Sequence, residues 1–515
     1  MTVEKREEIY TPAVEELFDY SERYNYVPIK REILSDMYTP IQVLKKLKAV
    51  SDHVFMLESA ADNEGYGRYS FLGFNPRLCI TCINGHLTVT NDEGNVLDDL
   101  QIKHPGKYIS ETVKEYKSPR MADFPPFTGG LVGYFAYDYI KYAEPTLDLN
   151  AEDEEGFKDV DLMLFDKVIA FDNVKQKIVI IANVSVASRT DILLRGTGGN
   201  NKIDTEYIED NYSKACREID AIVDIIRNGS EASEEPGQLK SEFRTLFDRE
   251  RYCDMVEKAK DHIHEGDIFQ VVLSNRMDAD YSGSLLNTYR MLRTVNPSPY
   301  MFYFSGDDIE VAGASPETLV KLKDGILHTF PLAGTRRRGA DDEEDEVLIE
   351  DLLSDDKEKA EHNMLVDLGR NDIGRISEIG SVEVERYMDV LKFSHVMHIG
   401  STVRGRLREG LDQLSVIDSI LPAGTLSGAP KIRACEIINE LEDNKRGIYG
   451  GAVGYIDFAG NLDTCIAIRL AYKKGGKVYV RSGAGIVADS VPEKEYEESI
   501  NKAKAVVTAL KMKEI

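Results

Sequence analysis

No tryptophan occurs anywhere in the 515 residues, and cysteine appears only 6 times. So little cysteine in so long a chain excludes a disulfide framework. Cys79 and Cys82 form a lone C-x-x-C within RLCITCINGHLTVT, whose alternation is that of a strand and sends the two thiols to opposite faces. No second pair completes a zinc site. Apolar runs of membrane-spanning length are missing too, and the start MTVEKREEIY lacks the apolar core of a signal peptide. A cytoplasmic protein without a membrane partner is expected. Basic residues are in deficit, 63 Lys and Arg against 90 Asp and Glu, for a formal charge of −27. That balance excludes nucleic acid as the main partner, and an anionic substrate would need a local positive site.

What is present is a core-forming chain with 42% hydrophobic residues, long enough for about two to four ordinary domains or two large intergrown ones. The first 60 residues read as mainly helical, DMYTPIQVLKKLKAV being the clearest amphipathic case. Apolar or alternating segments follow: YSFLGFNP, LCITCINGHLTVT, GGLVGYFAYDYI, DLMLFDKVIAFD and KIVIIANVS read as strands. RGTGGNNK near residue 195 is a loop signal, and NGSEASEEPGQLKSEF supplies a linker. The expected organisation is an N-terminal region over 1–227, a linker over 228–243 and a second domain over 244–515. Helices lie among antiparallel-looking strands with no βαβ rhythm, which favours an α+β fold.

Two acidic helices carry the first chemical signal. DDKEKAEHNMLVDLGRN has helical composition and spacing, and places Glu358 and Glu361 on one face beside His362. SVPEKEYEESINKAKAVVTAL has acids early and Lys late, as a helix dipole favours, and sets Glu495, Glu498 and Lys502 on one face. Carboxylates from two such helices could hold a hard cation such as Mg²⁺, although an isolated acidic helix face is more often simply solvated. His262 with His264, and His395 with His398, have spacings a metal could use, but neither pair has a third ligand nearby in sequence.

GASPETL, PLAGTRRRG, AEHNMLVDLGRND, GTLSGAPK, DTCIAIR, RSGAGIV and P-x-x-E-x-x-E occur in this order. The series resembles the chorismate-utilising enzymes, and among them the large subunits of anthranilate synthase. The catalytic part of the resemblance runs from about 250 to 511, while MLES and GRYSFLG extend it into the N-terminal third. It implies an α+β fold in which two large, mainly antiparallel sheets form a sandwich with helices outside. It also implies a Mg²⁺-dependent amination of chorismate at C2 followed by loss of pyruvate. Ammonia would come from a separate glutamine amidotransferase subunit, since no glutaminase nucleophile elbow surrounds any cysteine here.

Carried over residue by residue, the resemblance makes Glu361 and Glu498 the metal ligands, with Glu358 and Glu495 nearby. Arg469 grips the enolpyruvyl carboxylate, a task suited to a guanidinium fork, and Gly483, Ala484 and Gly485 offer it backbone N–H groups. Without the resemblance those glycines would read as a tight turn. Thr335, Tyr449 and Lys502 are further substrate contacts, joined by Thr425 at the catalytic centre. Glu317 protonates the departing hydroxyl, and His398 serves the pyruvate elimination. Gln270 stands where water-activating relatives carry Lys, and Ala333 stands where aminodeoxychorismate synthases carry a nucleophilic Lys, so neither alternative chemistry is expected. MLES and NPSPYMFY imply a feedback site for L-tryptophan built from Glu58, Ser59, Pro299, Tyr300, Met301 and Tyr455, although Met56 departs from the commoner LLES form. Two competing readings stand beside this one: aminodeoxychorismate synthase, and a tryptophan-binding relative without catalysis.

Overall fold

Strands with apolar residues on both faces, such as Gly130–Phe135 and Lys177–Ser185, need a cover on each side. The chain provides it by stacking two sheets and laying helices on their outer faces. The computed structural model describes residues 9–59, 67–188, 204–392 and 396–512. They form a 13-stranded and a 12-stranded sheet. In the first, the strands beginning at Tyr26, Lys177, Lys167, Tyr69, Val54, Tyr300, Glu310, Leu470, Lys477 and Gln270 lie side by side. Their pairings are antiparallel.

Phe55, Phe71, Phe302 and Val311 of the first sheet meet Val132, Phe165, Val453 and Cys465 of the second in an inter-sheet core. Helices Thr205–Asn228, Leu286–Val295 and Pro492–Lys511 cover the outer face of the first sheet. Helices Pro105–Glu115, Asp356–Gly374 and Gln413–Ile420 cover the second. The expected α+β sandwich is therefore the fold. Cys79 faces the inter-sheet core while Cys82 faces the outer cluster, as alternation requires.

Segments from either side of residues 228–243 share both sheets. Val54–Glu58 pairs with Tyr300–Ser305, and Gly130–Phe135 pairs with Ala452–Asp457. No helix among the described residues is long and apolar enough to cross a membrane.

The N-terminus corrects one expectation. Tyr26–Leu34 is a strand, antiparallel to Lys177–Ser185, within a stretch that reads as mainly helical. Its place at the sheet edge tolerates Pro28, and a pairing partner about 150 residues away leaves no local trace. The loop signal near 195 lies outside the described residues, as does His395.

Candidate active site

Helix Asp356–Gly374 starts cleanly because the Asp355 carboxylate accepts hydrogen bonds from the backbone N–H groups of Lys357 and Glu358. Helix Pro492–Lys511 starts with Pro in its first turn and acids beside it. Both helices line one cavity of about 860 Å³, together with Glu317, Gln270, Thr425, Tyr449, Arg469, Gly483 and Gly485. A second chamber of about 840 Å³ shares Arg469, Lys494, Glu498 and Lys502 with it and adds Asn296 and Thr335. The motifs that are separate in sequence thus converge on one connected space.

Within it, Glu361 is pushed above the usual carboxylate range by burial and then by the neighbouring Glu358, with Glu498 adding to the effect. Burial also raises Glu495, again with Glu498 as a like-charged neighbour. Lys502 Nζ lies 2.7 Å from Glu498 Oε1, and Glu358 leans toward Arg336 at 3.6 Å. An all-oxygen set crowded with like charge suits a hard cation. His362 takes no part. It is fully buried, and its Nε2 sits 2.6 Å from Ser401 Oγ, because the ring leaves the opposite side of the helix toward the sheet.

Glu317 lies between strands Glu310–Ser315 and Thr318–Lys323, deep in the cavity wall. Burial pushes it up to about 7, and the Thr425 hydroxyl, which donates to its Oε1 at 3.1 Å, pulls it back only in part. Lys502 and Arg469 oppose the shift from farther away. A carboxyl so placed is half protonated near neutral pH and can act as a general acid.

Arg469 follows strand Leu462–Ile466 with a left-handed backbone, φ 51°, an uncommon conformation for a non-glycine residue. Burial weakens the charged form of its guanidinium, and Nη1 donates to Asn296 Oδ1 at 3.2 Å. Tyr449 is buried and pushed up to about 12 by desolvation, so it enters the cavity as a neutral hydroxyl. Gly483–Gly485 is strand rather than turn, paired with Val272–Ser274. A side chain at Gly483 would meet the Leu273 carbonyl at 2.5 Å. Ala484 packs in the apolar cluster of Val271, Leu273 and Cys435 and does not line the cavity.

Gly334, at φ 63°, turns its carbonyl to His398 Nδ1 at 2.9 Å. A carbonyl only accepts, so Nδ1 carries the proton and Nε2 holds the lone pair of the neutral ring. Burial lowers His398, and the Arg469 charge adds to that, which keeps the imidazole neutral at pH 7. Thr335 Oγ1 is 3.1 Å from the same Nδ1.

The residues of the expected feedback site are divided between the two faces of the strand pair Val54–Glu58 and Tyr300–Ser305, with Tyr455 on the facing sheet. Met301 is in register with Glu58 on the side of helix Leu286–Val295. There the Glu58 carboxylate receives Arg293 Nε at 2.6 Å and the Tyr289 hydroxyl. Tyr300 and Tyr455 belong to the inter-sheet side, where alternation also sends Ser59. The Ser59 hydroxyl oxygen is buried there without a hydrogen-bond partner. Pro299 immediately precedes the strand.

His262, without His264, gains what the sequence did not suggest. Glu265 and Asp267 fall beside His262, the one group of three such ligand atoms within 4.8 Å among the described residues. Arg433 already sits 2.8 Å from Asp267 Oδ2, so this is an ion-pair network. Sequence reasoning missed Asn296, Lys494 and Lys357 in the cavity walls. Asn296 reads as a turn residue before Pro297, and nothing local marks its side chain as facing Arg469.

A profile of the chorismate binding enzymes matches residues 52–508. The chain belongs to that family. It is 44% identical over 513 residues to a protein of Aquifex aeolicus named anthranilate synthase component 1, with 98% of each chain covered. A protein of the same name from Acetivibrio thermocellus is 43% identical over 505 residues, 98% of this chain and 99% of the other. Among solved structures, anthranilate synthase component I from Streptococcus pneumoniae superposes with a TM-score of 0.72 at 37% identity, covering 92% of this chain and 98% of that one. The isochorismate synthase MenF of Escherichia coli shares the fold, with a TM-score of 0.66 at 19% identity.

Proposed function

We propose that this chain is the catalytic subunit of an anthranilate synthase, which aminates chorismate at C2 and eliminates pyruvate to release anthranilate. The observation that carries the reading is the single cavity in which Glu317, Arg469, Glu361 and Glu498 meet. Glu361 and Glu498 would hold Mg²⁺, with Glu358 and Glu495 beside them; the oxygen-only donor set and its crowded charge fit that ion. Bound there, the cation would supply charge neutralisation for a substrate carboxylate.

The other groups divide the remaining work. Arg469 takes the enolpyruvyl carboxylate in its fork, beside the strand segment of Gly483 and Gly485 that lines the same cavity. Glu317 gives its proton to the departing hydroxyl. His398, neutral and with its lone pair on Nε2, takes the ring proton during elimination. Thr335, Tyr449 and Lys502 orient the ring and its carboxylates, and Thr425 holds Glu317 in place. Gln270 has no basic nitrogen to activate water and Ala333 has no nucleophile, which leaves ammonia as the attacking group. A glutamine amidotransferase subunit would deliver it.

The part before residue 228 contributes Glu58 and Ser59 to a tryptophan site, and the part after 243 contributes the catalytic groups. The buried, partnerless Ser59 hydroxyl supports a bound effector at that corner. One assay tests the central claim: chorismate, Mg²⁺ and ammonium at alkaline pH, with the product identified by fluorescence and mass. Anthranilate is expected; 4-amino-4-deoxychorismate or isochorismate would overturn the reading. Ser59→Leu is expected to raise the tryptophan concentration for half inhibition at least about tenfold by filling the pocket.

A further inference from the structure

We infer that Arg336 is a positioning residue that holds the first turn of the cation helix Asp356–Gly374 against the corner that seats His398, while its charge restrains the cation affinity of the carboxylates. The inference rests on the reading of Glu361 and Glu498 as cation ligands and of His398 as the elimination base. Arg336 lies on strand Leu332–Arg337, which runs antiparallel to Val396–Arg406. The pairing shifts between Ala333 and Arg336 and resumes with Arg336 opposite Met397, the neighbour of His398. A β-bulge of this kind re-aims the residues it takes in. Here they are Gly334 and Thr335, whose carbonyl and hydroxyl oxygens lie 2.9 and 3.1 Å from His398 Nδ1.

The guanidinium then ties that corner to two helices. Nη1 donates to the Thr335 carbonyl at 3.1 Å, Nε donates to Asp351 Oδ2 near the end of helix Asp342–Ser354 at 2.6 Å, and Nη2 donates to Asp355 Oδ2 at 3.0 Å. Asp355 is also the cap of the cation helix: its other oxygen, Oδ1, accepts from the N–H groups of Lys357 and Glu358 at 3.0 and 3.2 Å. One carboxylate therefore joins Arg336 to the turn that precedes Glu361. A rigid planar fork serves these acceptors in their separate directions at once, whereas an ammonium on a flexible stem does not fix them relative to one another. The charge has a second effect. Nη1 stands 3.6 Å from Glu358 Oε1, and a positive group there weakens the attraction that the carboxylates offer a cation. Fork and charge thus act in opposite senses: the fork keeps the base and the cation helix in register, and the charge competes with the cation.

Two variants separate the fork from the charge, in the full chain with ammonium as nitrogen source. Arg336→Lys keeps the charge and loses the fork. It is expected to bind Mg²⁺ within about twofold of wild type, read by calorimetry without substrate, yet to raise the level of the aminated intermediate that still bears its enolpyruvyl group at least about fivefold, read by mass analysis of quenched reactions. Arg336→Gln loses both, and is expected to accumulate the intermediate likewise while binding Mg²⁺ about threefold or more tighter than wild type. Damage to the fold would instead weaken Mg²⁺ binding and slow both steps together. The inference is overturned if Arg336→Gln binds Mg²⁺ no tighter than wild type, or if both variants release anthranilate in step with chorismate consumption. Glu361→Gln and His398→Met are the references for the reading beneath it: the first should lose Mg²⁺ binding and the second should accumulate the intermediate. Unchanged Mg²⁺ binding in Glu361→Gln overturns the cation assignment, and no intermediate from His398→Met overturns the base assignment, whatever the Arg336 variants do.

Discussion

Carboxylates in the cavity wall and carboxylates just beneath it are treated in opposite ways. Glu442 is almost wholly buried, and every oxygen is answered: Arg446 forks onto it, and the Ser274 N–H and hydroxyl donate at 2.7 and 3.0 Å. Arg446 also donates to the carbonyls of Leu426 and Val272 at 2.6 Å each and lies over the rings of Tyr137 and Tyr449. Glu317, Glu361 and Glu495, by contrast, are raised by burial that their partners do not offset. The first set organises the frame that holds Tyr449. The second set holds the reactivity, since a carboxylate that wants a proton or a cation is one that can do chemistry.

The largest effect should come from the cation set. Glu361→Gln and Glu498→Gln are each expected to lower kcat on the order of a thousandfold, the several kcal/mol that a bound metal contributes. Their thermal midpoints should be unchanged or higher, because like-charge crowding is relieved. Steady-state rates and calorimetry on the same samples check both halves, and near-normal turnover would place these acids with the structural set.

Arg446→Met is the converse. Leaving Glu442 buried without its cation is expected to destabilise the protein by about 3–5 kcal/mol, measured by denaturant unfolding. A small loss would mean that the two sets do not differ as described.

Glu317→Gln should lower kcat about a hundredfold, within the range typical of a lost general acid. Wild-type kcat is expected to fall as pH rises through about 7, where Glu317 loses its proton, and the variant should lack that limb. The same group sets a stability trend. Its folded-state pKa is raised, so its contribution is fully present below the ordinary value of 4.5 and disappears as pH rises through about 7. Between pH 5 and 8 wild type should lose about 1–2 kcal/mol relative to Glu317→Gln, allowing for the water the cavity admits.

The smallest change in chorismate consumption is expected from His398→Met, less than about tenfold, with an aminated intermediate that still bears its enolpyruvyl group. Mass analysis of quenched reactions checks this. Equal loss of both steps would make the imidazole a structural partner of Gly334.

Much of the site was legible because its residues sit in local patterns. Glu358 with Glu361 and Glu495 with Glu498 are one helical turn apart, so the chain itself puts each pair on one face. The alternation around Cys79 and Cys82 likewise predicts opposite faces, and the sandwich has them there. The strand Tyr26–Leu34 was not legible, since its reason for being a strand is the edge formed by Lys177–Ser185. The Gly483–Gly485 run shows the same limit, because Leu273 rather than any local feature decides that it is extended.

By itself the sequence determined which chemical groups this protein owns: the ordered motifs, the acidic helix faces, Arg469 and the Gly-rich strand, and the lack of a base at Gln270 or a nucleophile at Ala333. Helical and strand periods are properties of neighbours in the chain, so they survive without a fold. Only the tertiary structure decided which of those groups are short of partners. Glu317 is raised because burial desolvates it while only the Thr425 hydroxyl, at 3.1 Å, answers it, whereas Arg446 and Ser274 meet both oxygens of Glu442. Asn296 meets Arg469, 173 residues away, for the same reason: hydrogen bonding and desolvation depend on distance in space, and no periodicity in the chain encodes that distance.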